Sequence, residues 1–181
     1  MKNLKLLTII AFGAILVTFA SCDKVTDLAD VTFDATLSTT IDATSASETR
    51  ETLYPFSGSE IINPTDDDNI DKYWDNIKEW VGKDIVVKVD YIDQYANLTD
   101  GHLLIVDHST GETVYQADAA NILLKPDAEI IHVTNADWSK LITALMAKHQ
   151  LYVEVSGALD KPSIKITFKV ELETEITASA L

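Results

Sequence analysis

Alternation of apolar and polar residues is the strongest pattern in the chain, and it predicts β-strands. It is clearest in two stretches, one near each end of the sequence that follows residue 30. Their apolar positions are Val31, Phe33, Ala35, Leu37 and Ile41 in the first and Ile164, Ile166, Phe168, Val170 and Leu172 in the second. Threonine, serine and charged residues fill the positions between them. A period of two places the apolar side chains on one face, which predicts half-buried strands.

Shorter apolar runs predict further strands between these two stretches. The runs lie at 53–62, 85–91, 102–106, 113–116, 121–124, 129–133 and 151–155. The polar segment 107–112 separates two of them and is typical of a hairpin turn. Pro55 and Gly58 interrupt the first run, which favours an edge strand there. Residues 42–49, rich in Ser, Thr and Ala, are expected to form a loop.

Two segments instead repeat apolar residues at spacings of three and four, as one face of a helix does. The first carries Ile70, Tyr73, Trp74, Ile77, Trp80 and Val81. Gly82 follows it and is expected to be its C-terminal cap. The second is expected to begin near Thr134 or Asn135 and to bury Trp138, Leu141, Ile142, Leu145 and Met146. The sequence therefore predicts two short amphipathic helices.

Together these elements predict a mainly β fold in a single domain, residues 31–181. Clean alternation means that each sheet has one face in the core and one in water, which is the habit of antiparallel sheets. About eight strands with two helices in the connections indicate an antiparallel β-sandwich. The alternative is an α+β fold with both helices on one face of a single sheet.

The first residues of the chain follow a different pattern. Two lysines precede a charge-free apolar stretch, Leu6 to Phe19, and two small residues then lead to Cys22, the only cysteine. A basic start, an apolar run and small residues before a cleavage point are the parts of a secretory signal peptide. We therefore expect residues 1–21 to be a signal peptide and not part of the fold.

The order Phe19-Ala20-Ser21-Cys22 resembles the lipobox of bacterial lipoproteins. The resemblance implies cleavage before Cys22, acyl chains such as palmitate on its thiol, and a short tether over 22–30. We expect the location to be a Gram-negative cell envelope, with the outer membrane favoured and the inner membrane left open. The alternatives are a plain signal peptide with an incidental cysteine and an uncut transmembrane anchor. The apolar run is shorter than the roughly 20 residues that span a hydrocarbon core.

Charge excludes one class of function. The chain has 14 basic and 29 acidic residues, a formal net charge of −15. Such a surface would repel nucleic acid and anionic head groups, so nucleic-acid binding is excluded. Arg50 is the only arginine, which argues against bidentate recognition of phosphate. The expected partners are the membrane, reached through the lipid anchor, and an envelope protein or glycan.

An acidic run offers a candidate calcium site, formed by Asp66, Asp67, Asp68 and Asp71. Calcium prefers six to eight oxygen ligands, which clustered carboxylates can supply. The run lacks the order of an EF-hand loop, because Ile70 and Asp71 fall where its fifth ligand and its glycine would be. The alternative is that these carboxylates cap the first helix and meet the positive end of its dipole.

Aromatic residues suggest a second candidate site. Tyr54, Phe56, Tyr91 and Tyr95 are placed where an exposed platform for a sugar or peptide could form. The alternative is ordinary packing in the core. The three tryptophans lie on the predicted apolar helix faces and are expected in the core.

Residues for catalysis or metal binding do not form a recognisable motif. His102, His108, His132 and His149 are scattered, and neither HExxH nor GxSxG is present. His149 is expected to pack and cap the second helix, while His102 and His108 flank the hairpin near Asp107. We predict no catalytic residue, metal ligand or cofactor. The favoured function is a non-enzymatic binding or accessory module. The alternatives are a glycosidase-like hydrolase with paired carboxylates and a structural envelope protein without a specific ligand.

Overall fold

The computed structural model describes residues 30–47 and 52–179. Nine strands and two short α-helices are found in this part of the chain. In chain order they are β1 (Asp30–Thr44), β2 (Tyr54–Ile62), α1 (Asp68–Tyr73), β3 (Ile77–Ile92), β4 (Ala96–Asp107), β5 (Thr113–Ala119), β6 (Ile122–Leu124), β7 (Glu129–Val133), α2 (Ser139–Met146), β8 (Leu151–Leu159) and β9 (Lys165–Ser179). Short 3₁₀ turns, Pro64–Asp66 and Trp74–Asn76, precede and follow α1.

The first sheet has the strand order β1-β9-β3-β7 and is antiparallel throughout. β1 and β9 are the two alternating stretches of the sequence. They pair without interruption from Asp30 opposite Ser179 to Thr44 opposite Lys165. Their inward-facing residues therefore meet in register, and the strands predicted for this sheet are confirmed.

The second sheet has the order β2-β8-β4-β5, and β6 pairs with the first part of β4. The pairs within it are also antiparallel. The predicted hairpin at 107–112 is confirmed. It joins β4 to β5, and the N–H of Asp107 donates to the carbonyl of Glu112 at 2.9 Å.

One hydrophobic core lies between the sheets, and both sheets contribute to it. Phe168 of the first sheet is fully buried and stacks on Phe56 of the second, with 5.5 Å between ring centroids. A side chain of this size contributes about 1.5–3 kcal/mol when it is fully buried. The predicted β-sandwich with two short helices is confirmed, and the alternative with a single sheet is wrong.

The first predicted helix is wrong in its second half. α1 ends at Tyr73 and β3 already begins at Ile77, so Trp80 lies on a strand. Gly82 does not cap a helix. Its backbone lies against the indole of Trp138, where an added Cβ would come within 1.8 Å of the ring atom Cδ2. Position 82 requires glycine because the Trp138 ring lies directly against its backbone, and not because a helix ends there.

The way in which β3 pairs with β9 explains why this segment was mistaken for a helix. Three register shifts against β9 leave Lys78, Lys83 and Asp90 as extra residues in β3. Each extra residue is a bulge, which separates successive inward-facing residues by three positions instead of two. Ile77 and Trp80 are separated in this way. A bulged strand therefore imitates the spacing of a helix.

The second predicted helix exists but begins later. α2 starts at Ser139, not near Thr134 or Asn135, and the carboxylate of Asp137 accepts a hydrogen bond from the Ser139 N–H at 3.0 Å. Of the predicted apolar stripe, Trp138, Leu141 and Leu145 are buried, whereas Met146 is exposed.

β1 spans the sandwich and defines its two ends. At the near end β1 begins at Asp30 beside Ser179, and at the far end it stops at Thr44 beside Lys165. Its 15 residues make 14 steps of about 3.3 Å each, which separate the two ends by about 45 Å. β1 thus extends into the predicted loop 42–49, of which residues 48 and 49 lie outside the described chain.

Candidate functional site

The acidic run proposed for calcium begins α1. Asp67 is the N-cap: its Oδ1 accepts hydrogen bonds from the N–H groups of Asn69 at 2.9 Å and Ile70 at 3.1 Å. Asp66 accepts a hydrogen bond from the side-chain amide of Asn63 at 2.9 Å. Within residues 30–47 and 52–179, no three His, Cys, Asp or Glu side chains are grouped so that they could hold a metal ion. The capping role is confirmed for Asp67, and the structure does not gather the four candidates, Asp66, Asp67, Asp68 and Asp71, into one site.

Three of the four platform residues lie at the far end of the sandwich. Tyr91 and Tyr95, near the end of β3 and just before β4, are 54% and 56% exposed. Tyr54 is half-buried at the start of β2, beside Pro55, whose carbonyl accepts from the Ala46 N–H. Phe56 does not belong to this surface. It is 5% exposed, because the pairing of β2 with β8 turns its ring into the core.

A cavity of about 310 Å³ lies between α2 and the β4–β5 hairpin. Its polar lining comes from Asp107, Thr110, Glu112, Ser139, Lys140, Thr143 and His149. Sites for small ligands are commonly clefts of about 300–1,000 Å³ that contain a few fixed polar groups. The cavity is at the lower limit of that range.

His149 and Asp107 line this cavity and are bonded to each other. The ring Nδ1 of His149 lies 2.8 Å from Oδ2 of Asp107, and Oδ1 accepts hydrogen bonds from the N–H groups of Ser109 at 2.8 Å and Thr110 at 3.3 Å. Burial would raise the pKa of Asp107, but the bonds from His149, Ser109 and Thr110 outweigh it and lower that pKa below its ordinary value. An ionised carboxylate can only accept, so Nδ1 carries a proton and donates.

This pairing holds the imidazole in one orientation, and Nε2 is its other hydrogen-bonding atom. Nε2 accepts a hydrogen bond when the ring is neutral and donates one when it is protonated. The hydroxyl groups of Thr110, Ser139 and Thr143 lie around the same cavity, and Thr143 Oγ1 donates to the Ser139 carbonyl at 2.7 Å. The cavity therefore offers several hydrogen-bonding groups to a polar ligand.

Strand pairing brings the two residues together from positions 42 apart in sequence. Asp107 ends β4 opposite Leu151, the first residue of β8. Lys148, with a left-handed φ of 64°, turns the chain after α2, and the His149 N–H then donates to the Ala144 carbonyl at 3.0 Å. The His149 side chain is thereby presented to the end of β4.

Two of the other histidines pair with carboxylates, and the third, His108, is exposed. His102 Nδ1 lies 2.7 Å from Asp118 and its Nε2 lies 3.1 Å from Asp100, on the exposed face of the second sheet. These two hydrogen bonds, that of Asp118 first, raise the pKa of His102. His132 Nδ1 lies 3.2 Å from Glu129. Although His102 and His108 were expected near Asp107, His149 is the residue whose ring pairs with it.

Asp107 and His149 were not predicted as a site, because no local sequence motif joins them. The one signal present was the position of Asp107 at the start of the hairpin turn, together with the position of His149 at the end of a helix. Joining them requires the β4–β8 register, which the sequence does not show.

Comparison with known proteins adds little. No protein-family model matches the chain, and no curated protein matches it. A solved structure from Desmodium yellow mottle tymovirus resembles it with a TM-score of 0.36 and 10% sequence identity, covering 85% of this chain and 92% of that one. A likeness this weak carries no weight for function. In the described part of the chain, no helix is long and apolar enough to cross a membrane.

Proposed function

We propose that the chain is a lipid-anchored lipoprotein of a Gram-negative envelope, expected at the outer membrane, whose β-sandwich is a non-enzymatic binding module. Cys22, placed after an apolar run and two small residues, supports the anchor. Acyl chains contribute about 0.8 kcal/mol for each buried methylene, and two chains hold a protein stably at a bilayer. The partner is an envelope protein or a glycan.

The observation that carries the binding role is the cavity centred on His149. Its imidazole is held by a buried carboxylate, and three hydroxyl side chains surround the same space. Fixing a polar group before a ligand arrives lowers the entropy lost on binding. A sugar ring or a polar peptide side chain has the size and the hydrogen-bonding groups that this cavity accommodates.

The state of the carboxylates favours binding over hydrolysis. A glycosidase needs one carboxylic acid that donates a proton and one carboxylate that acts as base or nucleophile. Asp107 accepts from His149, Ser109 and Thr110, and its pKa is lowered, which favours the ionised form. Glu112 forms an ion pair with Lys140 at 2.7 Å. Both acids of the cavity are thus engaged as hydrogen-bond acceptors.

Amide chemical-shift mapping by NMR tests this proposal. The mature chain is titrated with chitotriose, with a muropeptide and with a short polar peptide. We expect at least one probe to shift the amides of Thr110, Ser139 and His149, and we expect His149→Phe to abolish those shifts. His132→Phe is the matched control, because His132 is an exposed histidine on the other sheet.

Two outcomes would count against the cavity as the binding site. Shifts confined to Tyr91 and Tyr95 would move the site to the far end of the sandwich. Binding that is unchanged in His149→Phe would show that the imidazole does not contact the ligand. Conversion of chitotriose to shorter sugars during the titration would favour the hydrolase.

A further inference from the structure

We propose that the near end of the sandwich rests on the phospholipid surface, with the rings of Trp74 and Tyr73 at head-group level. This inference rests on the proposed lipid anchor at Cys22. It goes beyond the anchor, because it assigns a membrane contact to the protein surface itself. Such a contact would fix which end of the domain faces the bilayer.

The tether determines which end can reach the membrane. Only eight residue steps separate Cys22 from Asp30, the first residue of β1. Fully extended they span at most about 29 Å, and as a flexible coil about 15 Å. A sandwich standing on its far end would hold Asp30 about 45 Å from the lipid, which is beyond this reach. The near end is therefore held beside the lipid.

Aromatic and basic side chains lie together at that end. Lys78 pairs with Asp30 at 2.6 Å, directly where the tether enters β1. Tyr73 packs against Phe33 with 5.6 Å between ring centroids, and the Lys72 ammonium lies 4.9 Å from the centre of the Tyr73 ring. These contacts place the end of α1 beside the first residues of β1.

Trp74 completes this surface. Its ring is half-buried in a small cleft with Ile77 and the exposed Met146, and the Lys148 ammonium lies 5.7 Å from its centre. Tryptophan and tyrosine are enriched at membrane–water interfaces because one part of each ring system is apolar and another is polar. Lysine stems can lie along apolar surface while the ammonium groups stay among the head groups.

Charge distinguishes this end from the sides of the sandwich. The acidic start of α1 lies away from it, since Asp66 and Asp67 border the same cleft as Thr36 and Ser38, well along β1. The outer face of β9 carries a row of acids, namely Glu171, Glu173 and Glu175. Laying that face on a bilayer would remove these charges from water, which is costly. Glu171 and Glu175 of that row are paired with lysines, whereas Glu173 has no lysine partner among the described residues; at the near end Asp30 and Asp75 are each paired with a lysine.

Tryptophan fluorescence with brominated lipids tests the orientation. The mature chain, residues 22–181, keeps every described element and has a single thiol. It is coupled through Cys22 to a maleimide lipid in phosphatidylcholine vesicles, so that the anchor is present whether or not cells attach one. We expect coupling to shift the emission of the unmodified protein to shorter wavelength, and brominated phosphatidylcholine to quench the larger part of the Trp74 signal.

Two variants serve as controls. Trp74→Phe should lose most of the quenching, because Trp80 and Trp138 are buried. Tyr95→Trp in the Trp74→Phe background reports on the far end and should not be quenched. Equal quenching with and without Trp74, or strong quenching at position 95, would overturn the inference. Neither result would bear on lipidation in cells, which acyl labelling of Cys22 tests separately.

Discussion

Nδ1 of His149 lies 2.8 Å from Oδ2 of the buried Asp107, and this hydrogen bond joins the segment after α2 to the β4–β5 hairpin. The adjacent backbone strengthens the link, because the His108 N–H donates to the Gln150 carbonyl at 3.0 Å. The pair thus has two consequences. It orients the imidazole in the cavity, and it adds a side-chain link just beyond the last β4–β8 pair, Asp107 opposite Leu151.

Asp107→Asn should destabilise the fold by about 2 kcal/mol at neutral pH, because a hydrogen bond to a charged group contributes about 1.5–3 kcal/mol. Urea unfolding followed by circular dichroism measures the loss. Asp118→Asn is the matched control, since Asp118 also bonds a histidine but is 83% exposed. A loss for Asp107→Asn no larger than that of the control would contradict the structural role of the pair.

The same variant should make stability less dependent on acid pH. The pKa of Asp107 is lower in the folded chain than in the unfolded one, where it is about 3.9. Its contribution is therefore complete above the unfolded value and is lost as the pH falls through the folded pKa. We expect the stability difference between wild type and Asp107→Asn to shrink as the pH falls from about 5 to 2. A difference that stayed constant over this range would contradict the lowered pKa.

Gly82→Ala tests the close approach of β3 to α2. The added methyl group would overlap the Trp138 ring, and overpacking of a core typically costs about 1–3 kcal/mol. We expect the free energy of unfolding to fall by about 3 kcal/mol, the upper limit of that range. We also expect the near-UV circular dichroism of tryptophan to change. Gly111→Ala is the control, because no heavy atom lies near its added Cβ. The only cost expected for this variant is the backbone strain of an alanine at a φ of 73°.

A double-mutant cycle separates the overlap from backbone effects. In a Trp138→Ala background the ring is absent, so Gly82→Ala should then cost little. If Gly82→Ala lowered the free energy of unfolding equally in the wild type and in Trp138→Ala, the Trp138 ring would not be the reason that glycine is required here.

Strands with regular pairing could be predicted from the sequence, whereas the bulged first part of β3 was mistaken for a helix. β1 and β9 pair over their whole length without a register shift, so their inward residues keep the period of two. β3 has three shifts against β9, and one of them separates Ile77 from Trp80 by three positions. The apolar periodicity was therefore helical in appearance although the backbone is extended. Only the partner strand reveals the extra residues.

The candidate site was less predictable than the fold, because it depends on contacts between distant residues. Asp67 could be assigned as a cap, since capping involves only the next few residues. The pairing of Asp107 with His149 depends instead on how β4 and β8 align. Phe56 was misplaced for a similar reason, as the face of β2 that turns inward is set by β8.

Asp67→Ala tests the assignment of the acidic run. Loss of an N-cap costs about 1 kcal/mol, so we expect a small fall in the melting temperature. Asp68→Ala, which removes an exposed neighbouring carboxylate without a capping bond, should lower it less. Millimolar calcium should leave the melting temperature of the unmodified protein unchanged. A rise with calcium that is lost in Asp67→Ala would instead indicate a cation site.

Acylation of Cys22 in cells is the measurement that tests the central claim most directly. The full-length chain and its Cys22→Ser variant are expressed in a Gram-negative host that is fed an alkyne analogue of palmitate, and labelled protein is detected after coupling to a dye. We predict that the unmodified protein is labelled and lacks residues 1–21 by mass spectrometry, whereas Cys22→Ser is unlabelled. Absence of label on the unmodified protein, or label that persists in Cys22→Ser, would contradict the account.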